Sequence, residues 1–242
     1  MTANRIYTDQ SIQLDCHCVL GTHASHHLIR VLRMTVGAKV ILFNGDGFEY
    51  TAEMVAADRA KVELMVHSRV LASSESNLKI HLAQGISRGQ KMDYVIQKSV
   101  ECGVSSITPL MTQRCGVKIN AARMQAKVKH WQLVAISACE QSGRCCVPVV
   151  NPPMDFSYYL DSVSGLTLMA HPGVENNYTK AENIDSVNLL IGPEGGFSED
   201  EFSLAQKNKC AFINLGPRIL RTETAPIVGI TLLQNQFGDL KN

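Results

Sequence analysis

Two loops rich in glycine and proline near the C-terminus constrain this chain more than any other feature. The first loop covers residues 189–197 and contains Gly192-Pro193-Glu194-Gly195-Gly196, and the second covers residues 215–225. Each follows a short apolar run typical of a buried strand, and each leads into a segment with a helical pattern. Glycine adopts backbone angles that other residues avoid, so such loops let a ligand approach the backbone closely. If the two strands are parallel neighbours, both loops lie at one edge of the sheet and predict a ligand crevice.

Apolar runs alternate with helical patterns from residue 78 to the C-terminus. Strands are predicted at residues 78–83, 106–110, 147–150, 166–170, 187–191 and 211–215. Helices are predicted at residues 90–102, 121–139 and 225–237, and the capping box Ser198-Glu199-Asp200-Glu201 starts another. This alternation predicts an α/β fold with a parallel sheet covered by helices on both faces.

The first 70 residues have a different pattern, which favours β-structure. Strands are predicted at residues 39–43, 48–55 and 61–67, with Asn44-Gly45-Asp46-Gly47 as a tight turn between the first two. A short helix is predicted at residues 24–32. Several short strands joined by tight turns predict a small barrel. Because the stretch at residues 71–77 is small and polar, we predict one domain at residues 1–72 and a second at residues 73–242.

The charge and hydropathy of the chain exclude several protein classes. The formal net charge is +1, so the chain is not a strongly basic nucleic-acid binder, although arginine and lysine form local basic spots. No apolar run approaches the roughly 18 residues of a membrane span. The first ten residues lack the apolar core of a signal peptide, and we therefore expect a cytoplasmic location.

The cysteines and histidines do not have the spacing of metal ligands. None of the eight cysteines forms a C-x-x-C pair, and we expect free thiols in a reducing compartment. His23, His26 and His27 have no thiolate or carboxylate at ligand spacing. We therefore predict no metal site.

The first loop matches neither of the common nucleotide-binding motifs. It lacks the Gly-Lys-Ser/Thr ending of a phosphate-binding P-loop, and it is not a G-x-G-x-x-G fingerprint. A Rossmann-type cofactor site follows the first strand of its domain, whereas here the glycine loops come last, which disfavours a dinucleotide-dependent oxidoreductase. From the residues alone, structural turns and a ligand site remain equally compatible with the two loops.

Together with other segments, the two loops resemble the paired signature of the ribosomal RNA small subunit methyltransferase E family. Further segments that resemble this family are residues 4–7, 27–33, 87–92, 97–104, 113–115 and 138–144. The resemblance covers essentially the whole chain and is weakest between residues 155 and 186.

The resemblance implies a SPOUT-type parallel sheet with a C-terminal trefoil knot, preceded by a small PUA-like β-barrel that binds RNA. It implies an enzyme that transfers the methyl group of S-adenosyl-L-methionine to N3 of one uridine in 16S ribosomal RNA. The implied partners are 16S ribosomal RNA, either naked or within the 30S subunit, and a second copy of the chain, with no membrane. Two alternatives stay open, namely another SPOUT methyltransferase acting on ribose 2′-OH or tRNA, and a non-catalytic RNA-binding ribosome assembly factor.

The resemblance also implies site residues. Because the reaction needs a base or a cation near the uracil, we predict Arg221 and Glu223, which flank the implied pocket, as the catalytic pair. Arg221 would stabilise the uracil anion, and Glu223 would orient Arg221 or accept the proton. The alternative is a salt bridge that only pins the loop. The implied cofactor-binding residues are Met169, Ala170, His171, Leu190, Gly192, Glu194, Gly195, Gly196, Leu215, Ile219, Leu220, Thr222 and Ala225. The candidate RNA-phosphate contacts are Arg5, Arg30, Arg33, Arg88, Lys91, Arg114 and Arg144. Arg30 and Arg33 have the i, i+3 spacing of one helical face.

Overall fold

The chain folds into two compact units, each with its own sheet. The computed structural model describes residues 4–58, 61–116, 121–178 and 184–240. The first unit comprises Met1–Glu75 and Cys139–Val147, and the second comprises Ser76–Ala138 and Pro148–Asn242. Parts of the N-terminal stretch (residues 1–3) and of the weakly matching stretch (residues 179–183) lie outside the described residues. The domain boundary after residue 72 stays a prediction, and nothing local in the sequence indicates that residues 139–147 return to the first unit.

A five-stranded sheet forms the first unit. Its strands are β1 (Asn4–Tyr7), β2 (His17–Val19), β3 (Lys39–Phe43), β4 (Phe48–Ala57) and β5 (Val62–Leu71). The strand order is β1-β3-β4-β5-β2, and only the β1–β3 pair is parallel. Val62, Leu64 and Val66 alternate inwards with no exposed surface, as their period of two predicts.

The helical segment of the first unit is broken in a way that the sequence did not indicate. Helix α1 (Thr22–His26) continues into a π-helical turn at His27–Val31. Arg33 lies beyond this turn and has a left-handed φ of 52°. The prediction that Arg30 and Arg33 share one helical face is therefore wrong, although both side chains are exposed.

A seven-stranded parallel sheet forms the second unit. Its strands are β6 (Lys79–Gly85), β7 (Ser106–Met111), β8 (Val149–Val150), β9 (Met154–Asp155), β10 (Leu166–Ala170), β11 (Ser186–Ile191) and β12 (Ala211–Ile213). The order is β12-β10-β11-β6-β7-β8, with β9 also paired to β7. Every described pairing in this sheet is parallel, which confirms the α/β prediction.

Five helices accompany this sheet among the described residues. They are α2 (Lys91–Glu101), α3 (Ala121–Ser142), α4 (Phe156–Ser162), α5 (Glu199–Lys207) and α6 (Ala225–Phe237). Gly103, with a φ of 91°, ends α2 as predicted, and the predicted capping box of Ser198 and Glu201 begins α5. No helix in the described parts of the chain is long and apolar enough to cross a membrane.

The strand order brings the two glycine loops to one place. Strands β11 and β12 both pair with β10, so their carboxyl ends flank the end of β10. Because all three strands are parallel, the loops that follow them meet at the same edge of the sheet. The sheet therefore positions a site at Ala170, Ile191 and Ile213, where these strands end.

Candidate functional site

A cavity of about 560 Å³ opens at this edge of the sheet. Its walls come from the end of β10, the loops after β11 and β12, and the start of α6, together with Lys91 of α2 and Arg114 after β7. This volume is in the range of small-molecule sites. The predicted cofactor residues that line it are Ala170, His171, Gly192, Glu194, Gly195, Gly196, Leu215, Ile219, Leu220, Thr222 and Ala225. The predicted catalytic residues Arg221 and Glu223 line it too.

Two predicted cofactor residues do not line the cavity. Met169 and Leu190 are fully buried register partners in β10 and β11. Their side chains belong to the core of the sheet, and their backbone groups face neighbouring strands. Their assignment as cofactor contacts through backbone groups stays a prediction.

The part of the first loop that follows β11, residues 192–197, folds closely against itself. A Cβ atom on Gly192 would lie 3.1 Å from the backbone of Gly196, which itself has a φ of 67°. Nη1 of Arg114 donates hydrogen bonds of 3.1 Å to the carbonyl oxygens of Gly195 and Phe197. The sequence assigned Arg114 to RNA, whereas the structure uses its guanidinium to brace the loop at the cavity wall.

The second loop, together with Asn214 before it, is held by short hydrogen bonds at both of its ends. Gly216 has a φ of 104°, and its N–H donates to Oδ1 of Asn214 over 2.8 Å. The carbonyl of Arg221 accepts hydrogen bonds from the backbone N–H groups of Thr224 and Ala225, at 2.9 and 3.0 Å. This closed turn leads directly into α6.

Thr222 connects the two loops through its hydroxyl group. Oγ1 of Thr222 donates to the carbonyl of Gly192 over 2.9 Å and lies 3.1 Å from both Nε2 of Gln84 and Oγ of Ser87. These partners satisfy the hydroxyl of the buried Thr222 within the protein. Its predicted role as a cofactor contact is therefore left to its backbone. Sequence reasoning missed Gln84 and Ser87, although a polar side chain at the end of the apolar strand β6 was an available signal.

Charged groups from both loops meet at the cavity. Oε1 of Glu194 accepts hydrogen bonds of 3.1 Å from the Arg88 N–H and from Nζ of Lys91. Burial raises the pKa of Glu194, but hydrogen bonds from its own N–H, from Arg88 and from Lys91 outweigh burial and hold the pKa below its ordinary value. Nζ of Lys91 is also 4.0 Å from Oε2 of Glu223. Lys91, which the sequence assigned to RNA, therefore forms ion pairs at the cavity.

The two predicted catalytic side chains are neighbours with different environments. Nη1 of Arg221 lies 3.9 Å from Oε1 of Glu223. The Arg221 side chain is 83% exposed, whereas that of Glu223 is only 18% exposed. The arrangement gives a largely buried carboxylate beside an exposed guanidinium that can reach a ligand.

The structure corrects two predicted RNA contacts in the first unit. Arg5 pairs with Glu49, and its Nη2 donates to the Arg144 carbonyl over 3.1 Å. The Arg144 side chain is only 7% exposed, and its Nη2 lies 2.7 Å from Oε2 of Glu75. Oε1 of Glu75 also accepts hydrogen bonds of 2.9 Å from the N–H groups of Cys145 and Cys146. Arg5 and Arg144 are therefore structural ions of this unit and not phosphate contacts.

We expect Glu75→Ala to lower the free energy of unfolding of the first unit by about 3–5 kcal/mol, because it breaks the largely buried ion pair with Arg144 and the two hydrogen bonds from Cys145 and Cys146. Glu63→Ala, which breaks an exposed pair with His17 in the same unit, should cost at most about 1 kcal/mol. Urea unfolding followed by circular dichroism measures both. Equal losses in the two variants would contradict the structural role of Arg144.

Two family models match the chain, and the ranges that they match roughly follow the two units. An RNA methyltransferase domain matches residues 74–234. An RNA methyltransferase PUA domain matches residues 20–65. The cavity lies within the first of these matches.

Relatives and solved structures match nearly the full length of the chain. The ribosomal RNA small subunit methyltransferase E of Buchnera aphidicola is 35% identical, over 98% of this chain and 95% of the relative. A methyltransferase of Legionella pneumophila, solved with the cofactor SAM, is 40% identical with a TM-score of 0.94, and the match covers 99% of this chain and 100% of that one. The methyltransferase E of Neisseria gonorrhoeae, bound to S-adenosyl methionine, is 32% identical with a TM-score of 0.90 and the same coverage.

Proposed function

Because the chain belongs to the ribosomal RNA small subunit methyltransferase E family, we propose that it uses S-adenosyl-L-methionine (SAM) to methylate N3 of one uridine in 16S ribosomal RNA. The observation that carries this proposal is the cavity between the two glycine loops, with Arg221 and Glu223 at its wall. The first unit matches an RNA methyltransferase PUA domain over residues 20–65, and this match supports RNA as the substrate.

The residues at the cavity fit this cofactor. The cavity volume of about 560 Å³ is in the range of sites that bind small molecules such as SAM. Two buried polar atoms there, Nδ1 of His171 and Oε2 of Glu223, have no hydrogen-bond partner among the described residues and are available to a polar ligand. The backbone of residues 192–196 and 215–222 would hold the adenine and ribose, because exposed N–H and C=O groups recognise an uncharged base without an ion pair.

The proposed chemistry needs an anionic uracil held close to the cofactor. When bound, the cofactor supplies a methyl group on a positively charged sulfur. Uracil N3 carries a proton and becomes a strong nucleophile only when that proton leaves, and Glu223 is the group placed to accept it. The negative charge that develops on the ring oxygens would be stabilised by the Arg221 guanidinium. The new bond between N3 and the methyl carbon would form as the bond between that carbon and sulfur breaks. The electron pair of the broken bond would remain on the sulfur.

The test is incubation with labelled SAM and 30S particles that lack the modification, followed by mapping of the methylated nucleotide. A label at uridine N3 in 16S RNA supports the proposal. A label on ribose 2′-OH or on tRNA would favour the related SPOUT enzymes instead, and SAM binding without transfer to any RNA would favour an assembly factor.

We also propose that the enzyme is a homodimer that acts in the cytoplasm on the 30S subunit. Helices α2 and α6 pack against each other, and Tyr94 and Leu232 on them are 46% and 44% exposed. A second copy would remove these apolar side chains from water. Analytical ultracentrifugation of the purified chain measures the oligomeric state, and a monomer at micromolar concentration would contradict this part of the proposal.

Arg30 and Arg33 remain the candidate RNA contacts of the first unit, because both are exposed there. We expect the double substitution Arg30→Glu and Arg33→Glu to weaken RNA binding about 10-fold at moderate salt and to flatten its salt dependence, since phosphate contacts release counterions. SAM affinity should not change. Lys39→Glu with Lys61→Glu is the matched control, because these exposed lysines lie in the same unit and the charge change is equal. Filter binding at several salt concentrations measures the effect, and equal losses in both double variants would remove Arg30 and Arg33 from the interface.

A further inference from the structure

The connection between β6 and α2 contacts both glycine loops. We call residues 84–91 the β6–α2 segment. Its side chains reach the first loop at Gly192 and Glu194 and the second at Thr222 and Glu223. The sequence analysis assigned Arg88 and Lys91 of this segment to RNA phosphates and predicted no role for the segment at the cofactor site.

Gln84 joins the two loops at their base. It has no exposed surface. Nε2 of Gln84 donates to Oγ1 of Thr222 and to the Gly85 carbonyl, both over 3.1 Å, and lies 3.4 Å from the Gly192 carbonyl. The same Gly192 carbonyl accepts from the Thr222 hydroxyl. One amide group therefore fixes the first loop and the second loop at a shared point.

The amide of Gln84 is not fully satisfied by the protein. Its Oε1 atom is buried and has no hydrogen-bond partner among the described residues. An unpaired buried acceptor destabilises a fold, so an apolar side chain would serve packing better at this position. What Gln84 contributes is therefore the set of hydrogen bonds that its amide donates to the loops.

Lys91 joins the two loops a second time, through charge. Its ammonium is 3.1 Å from a carboxylate oxygen of Glu194 in the first loop and 4.0 Å from one of Glu223 in the second. Glu223 has its other close cation, Arg221, at 3.9 Å. Because Lys91 also donates a hydrogen bond to Glu194, its charge attracts the Glu223 carboxylate towards the first loop.

We propose that the β6–α2 segment sets the relative position of the two loops through two positioning residues, Gln84 for cofactor binding and Lys91 for the alignment of Glu223. This inference rests on the proposed function and adds residues to the same site. Gln84 acts on cofactor binding and Lys91 acts on methyl transfer, so substitutions at the two positions should change different measured constants.

Gln84→Met removes the donated hydrogen bonds and keeps the side-chain volume. Oγ1 of Thr222 keeps its contacts with Gly192 and Ser87, so the fold should survive. We expect the dissociation constant for SAM to rise about 10-fold, the size of effect that one or two lost hydrogen bonds produce. Thr222→Val should do the same, which tests the link if the Gln84 variant folds poorly.

Lys91→Met removes the charge that bridges the loops. We expect kcat to fall about 10-fold with SAM affinity unchanged, and Lys91→Arg to restore most of the rate, because misalignment of one group lowers the rate of a step that depends on positioning. The matched controls are Gln234→Met and Lys98→Met. Gln234 is an equally buried amide bonded to Ser76, and Lys98 lies on the same helix and pairs with Glu101.

Calorimetry with SAM and steady-state methylation of 30S particles give the dissociation constant, kcat and the RNA KM for each variant. The inference is supported if Gln84→Met changes mainly SAM affinity, Lys91→Met changes mainly kcat, and both controls stay near wild type. An unchanged SAM affinity in folded Gln84→Met and Thr222→Val overturns the role of Gln84. A Lys91→Met variant that raises only the RNA KM overturns the role of Lys91 and returns it to phosphate binding. If wild-type protein neither binds SAM nor methylates RNA, the proposed function itself has failed.

Discussion

Arg221→Ala should lower the rate constant for methyl transfer by about 10²–10³-fold, the effect of removing one group that stabilises a developing negative charge. The SAM dissociation constant should stay within a few fold of wild type. The structure supports this separation because the turn at Arg221 is closed by the backbone carbonyl of that residue, at 2.9 and 3.0 Å from two N–H groups. Removal of the exposed side chain leaves those bonds in place. Single-turnover methylation and calorimetry with SAM measure the two quantities.

Arg218→Ala is the matched control for Arg221→Ala. Arg218 is an exposed arginine of the same loop that also lines the cavity. If Arg218→Ala lowered the rate as much, the positive charge of the loop would matter in general and Arg221 would have no specific role. Loss of SAM binding in Arg221→Ala would instead support the alternative in which the arginine pins the loop to Glu223.

Gly85→Ala should weaken SAM binding and lower the rate of methyl transfer by about 100-fold, because misplacement of a positioning element by about 1 Å costs that much in rate. A Cβ atom on Gly85 would lie 2.5 Å from Cδ and N of Pro193 and 2.9 Å from the carbonyl carbon of Gly192. These are backbone and ring atoms that cannot rotate away, so the first loop must move. We expect the fold of the second unit to persist with lower stability.

Gly21→Ala provides the control for this change. A Cβ atom there meets nothing within 4 Å, and its φ of −63° suits any residue. The control should bind SAM like wild type. A Gly85→Ala variant with normal SAM affinity would mean that the position of the first loop does not determine SAM binding. The proposed positioning role of Gln84 would then be contradicted as well.

Local sequence patterns predicted most elements of the second unit. The strand at 166–170 and the helix at 225–237 occur with the predicted bounds, as Leu166–Ala170 and Ala225–Phe237. Both have signals contained within the element, namely a continuous apolar run and a helical apolar pattern that begins beside Pro226. By contrast, α4 and the two-residue strand β9 were not predicted, because short elements contain too few residues for a period to emerge.

Long-range features needed the tertiary structure. Arg5 and Arg144 appear in the sequence as ordinary basic residues, and only their burial against Glu49 and Glu75 reveals them as structural ions. The left-handed φ of Arg33, which no local pattern indicated, likewise excludes the helical face predicted for Arg30 and Arg33. The trefoil knot implied by the family resemblance remains a prediction.

The sequence by itself determined the α/β class, the two glycine loops and the family resemblance, since periodicity and motifs are properties of neighbouring residues. The tertiary structure decided which groups complete the site. The amide of Gln84 meets the hydroxyl of Thr222 across 138 positions of the chain, and Lys91 meets Glu194 across 103. Such contacts depend on the order of the strands in the sheet, and strand order is set by the packing of the whole unit, which no local pattern encodes.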